Sequence, residues 1–391
     1  MLKQIKIDGY KSLKDVELDM TGLTILIGPN GSGKSNFLDV FTLMAEAAGG
    51  ALSEGIAQRG GLDSILFRGD DSERVFLGFD FEPTGVFVEE RADVHYKVQL
   101  KKIGSFPSVS FEQVSKGPTP PHTSPLYLVH RRDGSITFRN IALNEQEEVK
   151  TIESESELAI FQVKDQTAYP TPYKLLRQFQ DWTCYMPLDV GPQSPIRLSQ
   201  TVRAGMRLFP DGSNLASVLY SIQNQAPSVW EDVNNIIRNV YDDFRYMTFP
   251  AEGGDGKILL RWWEYPFEQQ HGFSTNLLSD GTLRLLSLIA ILKSPNPPPL
   301  VCIDEPELGL HPDWIKLIAE LLAEAAKHTQ VIVATHSPVL VSNVNPEHVV
   351  VVEKEDGVTS MVRLTQNELT NWLDEFRLGD LWLAGHFGGR P

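Results

Sequence analysis

The chain has 391 residues, room for two ordinary domains or one large one. Its 41% apolar and 22% charged content excludes a disordered or fibrous polypeptide. With 51 acidic against 35 basic residues the formal net charge is −16, which argues against a coat that adheres generally to nucleic acid or membrane. Any DNA contact is expected on one face or through a partner. Two cysteines in apolar runs, Cys184 and Cys302, give no disulfide framework and suit a reducing cytoplasm. The opening MLKQIKIDGYKSLKD lacks the apolar stretch of a signal peptide. The greasiest region, around Leu283–Leu292, is far short of the roughly 20 residues a membrane helix needs. A soluble, cytoplasmic protein without membrane partners is expected.

In chain order, Lys3–Ile7 and Val16–Leu18 read as short strands about a turn, and Leu23–Ile27 as a buried strand. The chain then enters Gly28-Pro29-Asn30-Gly31-Ser32-Gly33-Lys34-Ser35 and a helical stretch, Asn36–Ala48. Alternating runs at Val75–Phe81, Val94–Leu100, Val109–Val114, Leu126–His130 and Ile136–Phe138 predict an antiparallel meander, read as an insertion covering a first lobe. Residues 144–165 are acidic and read as a solvated loop with a short helix. Helices are expected at Tyr173–Trp182, Leu215–Asn224 and Val229–Asp242, and strands at Cys184–Leu188 and Ile258–Tyr265. The α/β texture returns with a helix at Leu283–Leu292, strands at Leu300–Ile303, Val331–Ala334 and Val349–Val352, and a helix at Trp314–Lys327.

Gly28 to Ser35 matches G-x-x-x-x-G-K-S in the setting this motif needs, between a buried strand and a helix. Gly31 and Gly33 let successive N–H groups face a phosphate, and the helix adds its positive end. Lys34 is matched to the β- and γ-phosphates, and Ser35 to Mg²⁺. The strand Leu300–Ile303 ends in Asp304-Glu305, two carboxylates at the edge where an open α/β sheet carries ligand chemistry. Alone this would be an acidic turn. Beside a phosphate loop, Asp304 is expected to hold Mg²⁺ through water and Glu305 to orient or deprotonate the attacking water. Thr335-His336-Ser337-Pro338 follows the next apolar strand, where His336 can sense the γ-phosphate. His311 is expected to be a packing or interface residue.

Leu278-Ser279-Asp280-Gly281-Thr282 opens an apolar helix about 20 residues before the acidic strand. The order of phosphate loop, this turn, Asp-Glu strand and Thr-His-Ser-Pro resembles ABC-type ATPases, with Ser279 and Gly281 in the signature loop. IDGYKSL at Ile7–Leu13 and the N-G-S-G-K-S-N loop resemble the RecF/SMC-type branch. Pro-Asp-Gly-Ser-Asn-Leu at 210–215, Glu-Leu-Gly-Leu-His-Pro at 307–312 and the ending Leu378–Gly389 resemble stand-alone bacterial "AAA family" ATPases close to the ATPase domain of OLD-family proteins, often linked to phage defence.

That resemblance implies an α/β P-loop NTPase of ABC-ATPase head type with two lobes. Lobe I with the loop and β meander would span 1–145, a helical connector region 146–270, and lobe II 271–391. The implied reaction is ATP hydrolysis with Mg²⁺. Lys34, Glu305 and His336 would be catalytic, Ser35 and Asp304 would hold the metal, and the nucleotide would be bound by Gly28, Asn30, Gly31, Ser32, Gly33, Lys34, Ser35, Asn36, Ser279 and Gly281. Head-to-tail sites imply a homodimer or higher assembly. The long interval from Lys34 to Asp304 is β-patterned without sustained heptads, so SMC-type arms are not expected. No toprim nuclease follows His336, so a nuclease would be a separately encoded effector. The alternatives are a RecF-like DNA-repair ATPase contacting DNA directly and, against the N-terminal hairpin, a transporter subunit. Gln193, Lys11, Ser12, Arg59 and Arg68 are further candidates for nucleotide contact, and Trp262 and Trp263 read as sheet packing.

Overall fold

The computed structural model describes residues 1–69, 73–103, 106–118, 124–132, 135–149, 155–253, 256–266, 272–365 and 376–388. The chain divides into two units, one of Met1–Thr183, Glu347–Glu368 and Gly385–Pro391, the other of Cys184–Pro346 and Leu369–Ala384. Gly389, the last residue of the C-terminal motif noted above, lies outside the described residues.

In the first unit the alternating runs fold as β1 (Leu2–Asp8), β2 (Val16–Asp19), β3 (Leu23–Ile27), β4 (Arg74–Phe81), β5 (Val94–Ile103), β6 (Phe106–Lys116), β7 (Leu126–Arg132), β8 (Ser135–Asn140) and β9 (Glu145–Val149). All but β3 join one antiparallel sheet in the order β2-β1-β4-β5-β6-β7-β8-β9. The meander is therefore not a separate insertion: β4 pairs directly with β1, Ile5 opposite Phe79. A second correction concerns the acidic stretch. Residues 145–149, expected in a loop, form the edge strand β9, where charge discourages further strand addition. Residues 150–154 lie outside the described residues, and Ala159–Gln162 is the expected short helix, of 3-10 type.

One face of this sheet supplies the core. Val75, Leu77, Phe79 and Phe81 alternate on β4 and are fully buried, as are Val94 and Tyr96 on β5. The helix α1 (Lys34–Ala48) buries Phe37, Val40, Phe41, Met44 and Ala48, a stripe at helical spacing. Phe41 meets Trp182 at 5.3 Å between ring centroids, Trp182 meets Phe179 at 4.7 Å, and Phe179 meets Phe79 at 5.4 Å. Each such pair contributes about 0.5–1.5 kcal/mol beyond area burial. The chain of rings anchors α1, and hence the loop before it, to the sheet.

β3 is buried along its whole length, as a strand with neighbours on both faces must be. It runs parallel to Val349–Glu355, Val350 opposite Leu26, and that strand pairs antiparallel with Val358–Arg363. This return of the chain makes the unit discontinuous in sequence. The last strand was not anticipated, although its signal is present: Asp356 and Gly357 both have positive φ in a two-residue hairpin turn.

The second unit has a parallel pair, Leu300–Asp304 and Gln330–Thr335, with Cys302 opposite Ile332. Its helices include Asp280–Leu292 and Pro312–Ala325. The described residues of 146–270, expected to be a helical connector region, include strands as well as helices. Helices Leu215–Gln225 and Pro227–Val240 are accompanied by strands in two small sheets, Gln200–Thr201 with Lys257–Ile258 and Ala251–Glu252, and Phe244–Thr248 with Arg261–Glu264 and Phe273–Ser274. The run Ile258–Tyr265 is thus split between two sheets. The strand expected at Cys184–Leu188 ends at Tyr185, two residues before Pro187, which has no N–H to continue a ladder. Among the described residues, no helix is long and apolar enough to cross a membrane.

Candidate functional site

The phosphate loop of the first unit starts where β3 ends and closes at the first turn of α1. Gly28 has φ +154, and a Cβ there would lie 2.0 Å from the Val352 carbonyl oxygen. Gly33 has φ +114, and a Cβ there would lie 2.3 Å from Thr359 Oγ1. Only glycine fits either place. The Lys34 side chain is buried, its Nζ donating to Gly28 O at 2.8 Å and Pro29 O at 3.0 Å, so the ammonium sits inside the curl of the loop. Ser32 Oγ is buried without a protein hydrogen-bond partner. α1 has no side-chain cap, which leaves its positive end to a ligand. Asn30, Gly31 and Ser35 are exposed. A cation, an orphaned buried hydroxyl and an uncapped helix start are features that fit a phosphate group.

Behind the loop lies a polar layer. Asn36 Nδ2 donates to Ser12 Oγ at 2.8 Å, Thr359 Oγ1 shares a 2.8 Å hydrogen bond with Ser12 Oγ, and Thr359 N–H donates to Ser12 O. Ser12 thus supports the loop from behind. Lys11 and Arg59 are held elsewhere: Lys11 Nζ lies 2.6 Å from Asp39 Oδ2, while Arg59 contacts Asp39 at 2.7 Å and Glu46 at 2.6 Å. Tyr10 also donates to Asp39, at 2.7 Å. The γ-phosphate contact considered for Arg59 gives way to this network, and Arg68 is exposed. Burial would raise the Asp39 pKa, but the hydrogen bonds from Arg59, Lys11 and Tyr10 outweigh it and hold the carboxylate below its ordinary value.

In the second unit the buried strand Leu300–Asp304 ends with Asp304 itself nearly buried. Glu305 turns into left-handed geometry, φ +49, with its N–H donating to Ala334 O at 2.8 Å. A carboxylate residue held in that sparsely populated region is a feature typical of functional sites. Two residues on, Glu307 accepts hydrogen bonds from Thr335 Oγ1 at 2.7 Å and from His336 N–H at 2.8 Å. Burial raises the Glu307 pKa above the ordinary carboxylate value, with the Glu305 charge adding to the shift. The loops carrying Glu305 and His336 are therefore joined. Glu307 was missed as a site residue, although it stands in the Glu-Leu-Gly-Leu-His-Pro run.

Ser279 caps the helix Asp280–Leu292 through a 3.1 Å hydrogen bond from Thr282 N–H, and both Ser279 and Asp280 are exposed. Gly281 is close to Gly309: a Cβ at Gly281 would lie 2.8 Å from the Gly309 carbonyl oxygen. Buried Arg197 holds this turn from beneath, donating to Thr275 O and Leu278 O at 2.8 Å each and pairing with Asp280. No local signal marks Arg197 for this task. His311 is exposed and caps Pro312–Ala325 by accepting from Asp313 N–H, so it is not a packing residue. Gln193 is exposed. Trp262 is buried against Phe244 at 4.4 Å and Trp263 stacks on Tyr246 at 5.5 Å, both as sheet packing.

Among the described residues, no group of three or more His, Cys, Asp or Glu is arranged to hold a metal by itself. Mg²⁺ in nucleotide sites takes one or two protein oxygens together with phosphates. The Ser35 hydroxyl and Asp304 carboxylate are oxygen donors of that kind.

The structure is similar to an SMC head bound to the C-winged helix domain of ScpA, covering 94% of this chain and 99% of that chain at TM-score 0.60 and 15% identity. It is also similar to the Smc head with an extended coiled coil from Pyrococcus furiosus, over 96% of this chain and 98% of that chain, with TM-score 0.52 and 14% identity. These likenesses establish the ABC-type head fold. In sequence, the chain is 34% identical over 92 residues to the "Retron Vc95 probable ATPase" of Vibrio cholerae, 23% of this chain and 18% of that protein. It is 38% identical over 104 residues to the chromosome partition protein Smc of Desulfitobacterium hafniense, 24% of this chain and 8% of that protein. The aligned stretches are thus less than a fifth of either relative. The family described as "AAA domain, putative AbiEii toxin, Type IV TA system" matches residues 23–342, a span that holds the phosphate loop, the Ser279 turn, the acidic strand end and His336, and the chain belongs to that AAA-domain family.

Proposed function

We propose that the protein is a Mg²⁺-dependent ATPase working as an ATP-driven dimerisation switch, the sensor or regulator subunit of a bacterial defence or DNA-transaction system with a separately encoded effector. The observation that carries the ATPase reading is the phosphate loop, with Lys34 Nζ inside it and glycines at the two positions where no side chain fits. Lys34 and the N–H groups opening α1 would bind the β- and γ-phosphates. Mg²⁺, held by Ser35 and by Asp304 through water, would neutralise phosphate charge. Glu305 would take a proton from the attacking water, and His336 would report the γ-phosphate. Ser279 and Gly281 would act on the nucleotide of a second copy. The division into 1–145, 146–270 and 271–391 is proposed as one of roles, not of packing units.

The likeness to a retron ATPase supports the defence setting, and the SMC heads solved with ScpA domains support a partner protein. A mixing experiment tests the switch. Lys34→Ala and Ser279→Arg should each abolish hydrolysis in pure form. In a mixed dimer one site carries both defects and the other neither, so mixing should restore part of the activity. No recovery in mixed dimers verified by mass spectrometry would refute a signature turn acting on its neighbour.

A further inference from the structure

The loop after the acidic strand and the loop after its parallel neighbour are tied at three points. Glu305 N–H donates to Ala334 O, and both Thr335 Oγ1 and His336 N–H donate to Glu307 Oε1. Thr335 is fully buried, and its Oγ1 also accepts from Ser337 N–H at 3.0 Å. Glu307 is itself fixed within its turn, where Leu310 N–H donates to its carbonyl at 3.0 Å. Its second carboxylate oxygen, Oε2, is buried with no protein hydrogen-bond partner. Burying a carboxylate in this way is costly.

We infer that Glu307 is a positioning residue, which by gripping Thr335 and His336 fixes the place of the histidine relative to the Glu305 turn. The inference rests on the reading of Glu305 and His336 as residues of hydrolysis. It differs in kind from a catalytic role: Glu307 acts through the backbone of its neighbour. Displacing a reacting group by about 1 Å is enough to cost about a hundredfold in rate.

The experiment compares wild type with Glu307→Ala, Glu307→Gln, Thr335→Val and Glu305→Gln in ATP affinity, kcat and the backbone amide resonance of His336. Glu307→Ala should move that resonance upfield and lower kcat about a hundredfold, with Kd for ATP within about threefold of wild type. Glu307→Gln keeps an oxygen that accepts the same two bonds, so it should restore the resonance and bring kcat to within about tenfold of wild type. Thr335→Val, which leaves the His336 bond, should fall between. An unmoved resonance in Glu307→Ala, or kcat within threefold of wild type, overturns the inference. If Glu307→Ala does not fold, Glu307→Gln and Thr335→Val decide it: wild-type kcat in Thr335→Val together with a Glu307→Gln protein that restores the resonance but not kcat would overturn it. Wild-type turnover by Glu305→Gln would instead sink the parent reading, while the amide resonance would still report on the Glu307 link.

Discussion

Thr359 Oγ1 lies 2.7 Å from the carbonyl oxygen of Ser32, so the crest of the phosphate loop is braced by a side chain 327 residues further along the chain. The same hydroxyl stands against Gly33, where a Cβ would come within 2.3 Å of it. The late strand thus helps to shape the loop, together with its own glycines.

Thr359→Val keeps the volume and removes the donor. The Ser32 carbonyl then loses a buried partner, at a cost of about 1–3 kcal/mol that falls on the loop conformation. ATP affinity should drop about tenfold or more, a change of about 1.4 kcal/mol per decade, while α1 stays folded. Calorimetric titration with ATP checks this; affinity equal to wild type would mean that the brace does not matter.

Arg197 makes an independent case. Its guanidinium donates to Val190 O at 2.7 Å as well as to Thr275 O and Leu278 O, and pairs with Asp280. Arg197→Met leaves three carbonyls without that donor and should destabilise the protein by about 3 kcal/mol in urea titration. Lysine cannot reproduce the planar fork, so Arg197→Lys should recover less than half of the loss. A lysine variant as stable as wild type would contradict this.

What was legible beforehand was local. β3, the loop and α1 follow one another without a break, so their pattern shows in the residues from Leu23 to Ala48. The placement of Asp304, Glu305 and His336 at or just beyond the ends of buried strands could be read because those strands are continuous apolar runs. Arg197, Thr359 and Glu307 could not be assigned, because each acts on atoms that only folding brings near: Thr275 and Leu278 for Arg197, Ser32 for Thr359, Thr335 and His336 for Glu307. The same reason hid β9, whose acidic residues read as a loop until the backbone of β8 pairs with them, and the two-sheet split between Ile258 and Arg261.

The Asp39 network gives a pH prediction. Its folded pKa is held below the ordinary value by Arg59, Lys11 and Tyr10 against the opposing effect of burial. The stabilisation is therefore fully present above the unfolded pKa, near 3.9, and is lost as pH falls through the lower folded value. Asp39→Asn should cost about 2 kcal/mol at pH 7, less than a fully buried pair because 21% of the Asp39 side chain is exposed. That difference should shrink steadily below about pH 4. Thermal melts of both proteins across this range are the check, and a difference independent of pH would assign the effect to packing.

The most direct test of the account is Glu305→Gln, which keeps the shape of the side chain and removes the carboxylate proposed as the base. The variant should bind Mg-ATP as wild type does, turn it over about a hundredfold or more slowly, and accumulate as an ATP-dependent dimer or larger assembly on a sizing column. Turnover within about threefold of wild type, under roughly 0.7 kcal/mol of lost transition-state stabilisation, would show that Glu305 is not the base and that the proposed chemistry is wrong.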